Sequence, residues 1–206
     1  MAIDHFERHF RKKNQIDWNF NLVFDGQPAV AEMAREYAKI IRHPGLYDPI
    51  PVEWLHATIL RVGLTDDYTE AEMLAVAAKL QESLAALTLP EFYFDSWWLW
   101  SGGVVLHISP DDEFSKLYDC VIEALEQVVG TERTTHSPHG RFIAHMGLAY
   151  PKTHNKEYEI HEQLVAHPVK PAKFRAVSMP LIRQWPTNGH YEWEVVEDIK
   201  IGTLSS

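Results

Sequence analysis

Two nine-residue stretches decide how this chain is read: Trp54-Leu-His-Ala-Thr-Ile-Leu-Arg-Val62 and Phe142-Ile-Ala-His-Met-Gly-Leu-Ala-Tyr150. Each is a short run of strand-forming residues with one histidine set among apolar neighbours. Side chains two apart on a strand share a face. Trp54, His56 and Thr58 therefore point one way, and Leu55, Ala57 and Ile59 the other. In the second stretch His145, Gly147 and Ala149 oppose Met146, Leu148 and Tyr150. Such a histidine faces either a core or a cleft. The two lie 89 positions apart in a chain of 206 residues, in elements that follow one another in a similar order.

Outward from these strands, Trp18-Asn-Phe-Asn-Leu-Val-Phe24 alternates apolar and polar residues, which predicts a half-buried strand ended by Asp25-Gly26. A helix is predicted from Pro28 to about Arg42, stopped by His43-Pro44-Gly45, and the first histidine strand follows over 54–62. Thr69 with Glu72 three residues on forms a capping box for a helix to about Leu87. Strands are predicted over 92–100 and 104–109, joined at Ser101-Gly102-Gly103. Asp111 or Asp112 should cap a helix that Gly130 ends, and 131–140 reads as a polar loop. After the second histidine strand come a helix over 154–167 and closing strands over 174–185 and 191–201. The expected fold is α+β, with two pseudo-symmetric lobes, each a small antiparallel sheet with helices, and a cleft between them. Residues 1–15 read as an N-terminal arm, 16–201 as the bilobal domain and 202–206 as a tail.

Composition bounds the function. The 19 Lys+Arg stand against 29 Asp+Glu, a net charge of −10, which disfavours binding to duplex DNA or anionic membrane. No apolar run approaches the roughly 20 residues of a membrane helix. A single cysteine, Cys120, and no apolar leader favour a cytoplasmic setting, and the expected state is a monomer. Two histidines converging on one cleft suit acid–base chemistry at phosphorus. One neutral imidazole takes a proton from water while the other, protonated, gives one to the leaving oxygen. Thr58, on the same face as His56, can donate its hydroxyl to a phosphoryl oxygen. His136, His139 and His145 match no zinc spacing, so no metal is expected.

The pair of motifs resembles the two-histidine (2H) phosphoesterase superfamily, the LigT-like or 2′-5′ RNA ligase family proteins, whose signature is two strand motifs H-x-[ST]-x, one per lobe. His56-Ala57-Thr58-Ile59 matches fully, and Pro51-Val-Glu-Trp-Leu-His-Ala-Thr is similar to the usual lead-in. His145-Met146-Gly147-Leu148 resembles the second motif but has Gly147 where the family has Thr or Ser. The resemblance extends over about 16–201 and includes the stretch from Ser178 to Tyr191 as a final hairpin. It implies a metal-independent, cofactor-free phosphodiesterase acting on a 2′,3′-cyclic phosphate or a 2′-5′ linkage of a nucleotide or RNA end. His56 and His145 would share acid and base roles, with His56 leaning to acid and His145 to base. Thr58 and the backbone at Gly147 would hold the phosphate. Trp54, His139, Arg141 and Arg183 are the further candidate substrate contacts. Two alternatives stand beside this reading: an enzyme for ADP-ribose cyclic phosphate, and a non-catalytic nucleotide- or RNA-binding module whose second motif has degenerated at Gly147.

Overall fold

The alternation at the start of the chain is realised as β1 (Asp17–Val23), but both of its faces are buried. The computed structural model describes residues 15–42, 46–100, 103–136, 142–152, 157–187 and 189–202. Its elements are β1, α1 (Pro28–Ile41), β2 (Tyr47–Pro49), a 3₁₀ turn (Val52–Trp54), β3 (His56–Leu64), α2 (Glu70–Ala85), β4 (Phe92–Trp100), β5 (Gly103–Ser109), α3 (Asp111–Val129), β6 (His145–Pro151), α4 (Glu157–Ala166), β7 (Lys173–Phe174), β8 (Leu181–Pro186) and β9 (Tyr191–Glu197). The fold is α+β with two antiparallel sheets, ordered β3-β1-β8-β9 and β2-β6-β5-β4-β7.

The two sheets are related by an internal repeat. In one, strand β1 leads through α1 to the neighbouring histidine strand β3; in the other, β5 leads through α3 to the neighbouring histidine strand β6. The repeat does not divide the chain in two. Strand β4 from the first half joins the second sheet beside β5, and β8 and β9 return to the first sheet beside β1. Helix α1 packs against β2, β6, β7 and α4, while α2 packs on α3, which reaches both β3 and β5. The apolar faces of these helices meet the sheets in one core that includes Phe20, Leu80, Phe92, Phe114 and Met146.

Local rules explain most boundaries. Thr69 and Glu72 form the reciprocal capping box on α2, with Thr69 Oγ1 accepting from the Glu72 N–H and Glu72 accepting from the Thr69 N–H. Gly130 closes α3 at φ +84°, a backbone conformation that only glycine adopts without strain. Four expectations are corrected. Trp54 lies in the 3₁₀ turn before β3, because a turn bonded from Trp54 N–H to Pro51 C=O precedes the strand. The strand β2 is absent from the sequence reading, being too short to carry a period. The expected strand over 174–185 is two pieces, β7 and β8, with Pro180 between them. Neither Asp111 nor Asp112 caps α3, whose N-cap is Pro110; Asp111 is helical and its Oδ1 accepts the Ala144 N–H at 3.2 Å, at the entry to β6. Residues 1–14 of the expected arm, Ser101-Gly102 of the expected turn and residues 203–206 of the expected tail lie outside the described residues.

Candidate active site

Strands β3 and β6 face one another across a cleft, and the floor of that cleft is a cavity of about 240 Å³. His56, Thr58, His145 and Gly147 all line it. The two histidines are held alike. His56 Nδ1 lies 2.9 Å from the carbonyl oxygen of Trp54, and His145 Nδ1 lies 2.7 Å from that of Ile143, in each case two residues back along the chain. A carbonyl can only accept, so each Nδ1 carries the proton and donates it, and each neutral ring keeps Nε2 as the acceptor.

Aromatic side chains pack against both rings. Trp193 meets His56 edge-on, with centroids 5.0 Å apart, and is itself backed edge-on by Trp54 at 4.8 Å. Since β9 lies at the far edge of its sheet from β3, this contact means the first sheet curls back on itself as a half-barrel. Trp100 stands 5.1 Å from His145. Burial lowers the pKa of His56 to about 4; the Trp54 carbonyl opposes that shift and the nearby His145 adds to it. Burial also lowers His145, against the Ile143 carbonyl and with a smaller push from His107, its cross-strand partner.

The rest of the cleft is more polar than the sequence suggested. On β1, Asp17 and Asn19 line the cavity although they are almost fully buried, and Gln184 joins them from β8. Tyr150 and Tyr191 meet edge-on at 5.4 Å across the two sheets, and burial pushes both phenols well above their usual range. Arg61 also reaches the cavity, because β3 is irregular: Leu60 pairs with Phe20 in the core, and Arg61 pairs with Asn19 on the cleft face. Strict alternation from His56 would have put Leu60 there. The signal for these residues was present in Asp17-x-Asn19-x-Asn21, whose polar positions read as solvent-facing but face a buried cleft.

The remaining candidates separate. Thr58 lines the cavity and its hydroxyl has no protein partner among the described residues. Trp54 is outside the cavity lining and acts through its carbonyl and through Trp193. Arg183 does not reach the cleft. It pairs with Trp18 in register on the opposite face, lies 5.7 Å from the Trp18 ring, and is bound to Glu194 at 2.6 Å and Glu70 at 3.5 Å. His139 and Arg141 lie outside the described residues. At Gly147 a Cβ would sit 3.1 Å from Ile50 Cδ1, so the apolar Ile50 side chain crowds the place where a threonine would begin. Among the described residues no group of three or more His, Cys, Asp or Glu is arranged to hold a metal, and no helix is long and apolar enough to cross a membrane.

Residues 28–185 match the family model of the 2′-5′ RNA ligase superfamily. The chain belongs to this superfamily. Its fold is similar to that of TT0787 from Thermus thermophilus, at 19% identity and a TM-score of 0.64, covering 91% of this chain and 97% of that one. It is also similar to E. coli LigT in its apo form, at 11% identity and a TM-score of 0.62, covering 93% and 100%. LigT complexed with 3′-AMP gives 12% identity and a TM-score of 0.59, covering 92% and 99%. A comparison with curated protein sequences gives no match. At these identities the likeness shows a shared fold.

Proposed function

We propose that the protein is a phosphodiesterase that opens a 2′,3′-cyclic phosphate, or cleaves a 2′-5′ phosphodiester, on a nucleotide or RNA end, using His56 and His145 as a proton-transfer pair and no metal. The observation that carries this reading is the duplicated geometry: two imidazoles on facing strands, each pinned at Nδ1 by the carbonyl two residues back and each keeping Nε2 for one shared cavity. In-line hydrolysis needs one group to accept a proton on one side of phosphorus and another to donate on the other. The water oxygen forms the new bond to phosphorus and passes its proton to His56 Nε2. The bond from phosphorus to the ribose oxygen breaks, and that oxygen takes a proton from His145 Nε2.

When the pair holds a single proton, it resides on the group less opposed to charge. Deeper burial of His56 favours its neutral form, which makes it the base and His145 the acid, the reverse of the leaning drawn from sequence. The Thr58 hydroxyl supplies a donor to the phosphoryl oxygens, and Gly147 leaves the second lobe without its counterpart. Nucleotides as the ligand class are supported by the E. coli LigT structures complexed with 3′-AMP, ATP and NADP+.

The test is turnover of 2′,3′-cyclic nucleotides and cyclic-phosphate-ended RNA in the presence of a chelator, comparing the wild type with His56→Ala and His145→Ala. Loss of at least about a hundredfold in both variants is expected for a proton-transfer pair; full activity in either overturns the mechanism. The crowding of Gly147 by Ile50 favours a second reading, a binding module without turnover. Absence of turnover in both the wild type and Gly147→Thr, with nucleotide binding retained, would establish that reading instead.

A further inference from the structure

We propose that the cleft holds a second anion subsite, formed by Arg61 and Gln184 around the buried carboxylate of Asp17, which binds a phosphate of the substrate other than the one that reacts. This rests on the nucleotide reading above and narrows it: the preferred substrates carry a phosphate on the 5′ oxygen of the nucleotide as well as the reacting phosphate.

Three observations place the subsite. First, Arg61 lines the cavity, and its Nη2 donates to Asp17 Oδ1 at 2.9 Å; the Asp17 side chain is 5% exposed and that of Arg61 is 47% exposed. That bond occupies one of five guanidinium N–H groups, and no other hydrogen bond engages the Arg61 side chain among the described residues. Arg133 and Arg183 are engaged elsewhere, the first by Glu72 and the Asp67 carbonyl, the second by Glu70 and Glu194. Second, Gln184 stands opposite Asp17 in register and also lines the cavity. Its Oε1 accepts from Asn21 Nδ2 at 3.0 Å, which leaves the Nε2 donors without a protein partner among the described residues. Two sets of spare donors therefore flank one buried carboxylate.

Third, the tether points away from the reacting phosphate. Arg61 is opposite Asn19, but Asp17 is opposite Leu64, three residues farther from His56 along β3. Five strand steps separate Arg61 from His56, roughly 16 Å of ideal strand before the irregularities shorten it. The tether to Asp17 therefore holds the guanidinium toward the Leu64 end of the strand, away from His56. In a chain of net charge −10, the Arg61–Asp17 pair adds oriented donors without much net positive charge. The effect expected is accordingly at the low end for charge-assisted hydrogen bonds, about tenfold.

The experiment compares kcat/KM for adenosine 2′,3′-cyclic phosphate, its 5′-phosphorylated form, and a dinucleotide ending in a cyclic phosphate, whose internucleotide phosphate occupies the 5′ oxygen. The two phosphate-bearing substrates distinguish a terminal phosphate from an RNA backbone as the source. Calorimetry with adenosine 2′-monophosphate and adenosine 2′,5′-bisphosphate supplies a readout that needs no turnover. A preference of about tenfold for at least one 5′-phosphate-bearing substrate and for the bisphosphate is expected in the wild type. It should fall to about one in Arg61→Gln. Because that variant leaves Asp17 buried without its partner, Asp17→Asn/Arg61→Gln is measured beside it. A wild-type preference near one, or a preference that survives in the double variant, overturns the subsite. Turnover without any 5′-phosphate preference leaves the phosphodiesterase reading standing and removes the subsite; an Arg61-dependent preference in binding without turnover does the reverse.

Discussion

The burial of His56 should be measurable as a stability that depends on pH. Its pKa is about 4 in the folded protein against 6.5 for a solvated imidazole. As pH falls from 7, the unfolded chain takes up a proton near 6.5 and the folded protein does not until about 4. The unfolded state therefore binds more protons across this window, and stability rises with pH through it. At 1.36 kcal/mol per pH unit of offset, the single group is worth about 2 kcal/mol between pH 7 and pH 5, growing to about 3 kcal/mol by pH 4. His145, also lowered by burial, adds in the same direction. The carboxylates with lowered pKa values, Glu72, Asp95 and Asp198, give up their contributions only as pH falls below about 5. The perturbation is His56→Asn, whose amide can still donate to the Trp54 carbonyl but does not titrate. Urea unfolding at pH 7 and pH 5 should show the wild type losing about 2 kcal/mol more than the variant over that interval. Equal losses in the two proteins would refute the claim that His56 is held neutral by desolvation.

Four further outcomes follow from the same geometry. The pH optimum of kcat/KM should lie below 6.5, since both free-enzyme histidines are lowered, and the kcat profile should shift to higher pH because a bound phosphate favours imidazolium; pH–rate profiles of both parameters check this. Replacing Trp193 with Leu opens the packing beside His56, so the His56 pKa read by NMR titration should move up toward 6.5. Thr58→Val should lower kcat by roughly a hundredfold with a smaller change in KM, as measured by steady-state kinetics. Gly147→Thr should cost about 1–2 kcal/mol through its contact with Ile50, and Ile50→Val should recover part of it in denaturant melts.

The sheets, their helices and the two histidine strands were legible because each carries a local signature: a period of two, a capping box, a terminating glycine. Which strands share a sheet was less legible, since pairing is a long-range choice that leaves little trace in local pattern. Thus the pairing of β4 with β5 follows from the short connection at Ser101-Gly102-Gly103, whereas nothing local announces that β8 returns to β1. At the site, His56 and Thr58 could be assigned to one face by parity. Arg61 could not, because the irregularities in β3 shift parity by a residue, and the one glycine of that strand, Gly63, lies beyond Arg61 and does not mark the shift between Thr58 and Leu60. Arg183 shows the converse: parity from Gln184 places it on the far face, where Glu194 and Glu70 hold it. The buried polar face of β1 misled for a simple reason, since an alternating strand looks the same whether its polar side meets solvent or a cleft.

The return of β8 and β9 to the first sheet also has a consequence for biogenesis. Gln184, Tyr191 and the Trp193 that walls His56 all come from the last of the strands to be synthesised. A nascent chain that has already exposed both histidine strands therefore still has an open, wet first sheet. The cavity closes only when residues up to Trp193 have cleared the ribosome, so a prematurely released fragment would carry both signature histidines and no competent cleft.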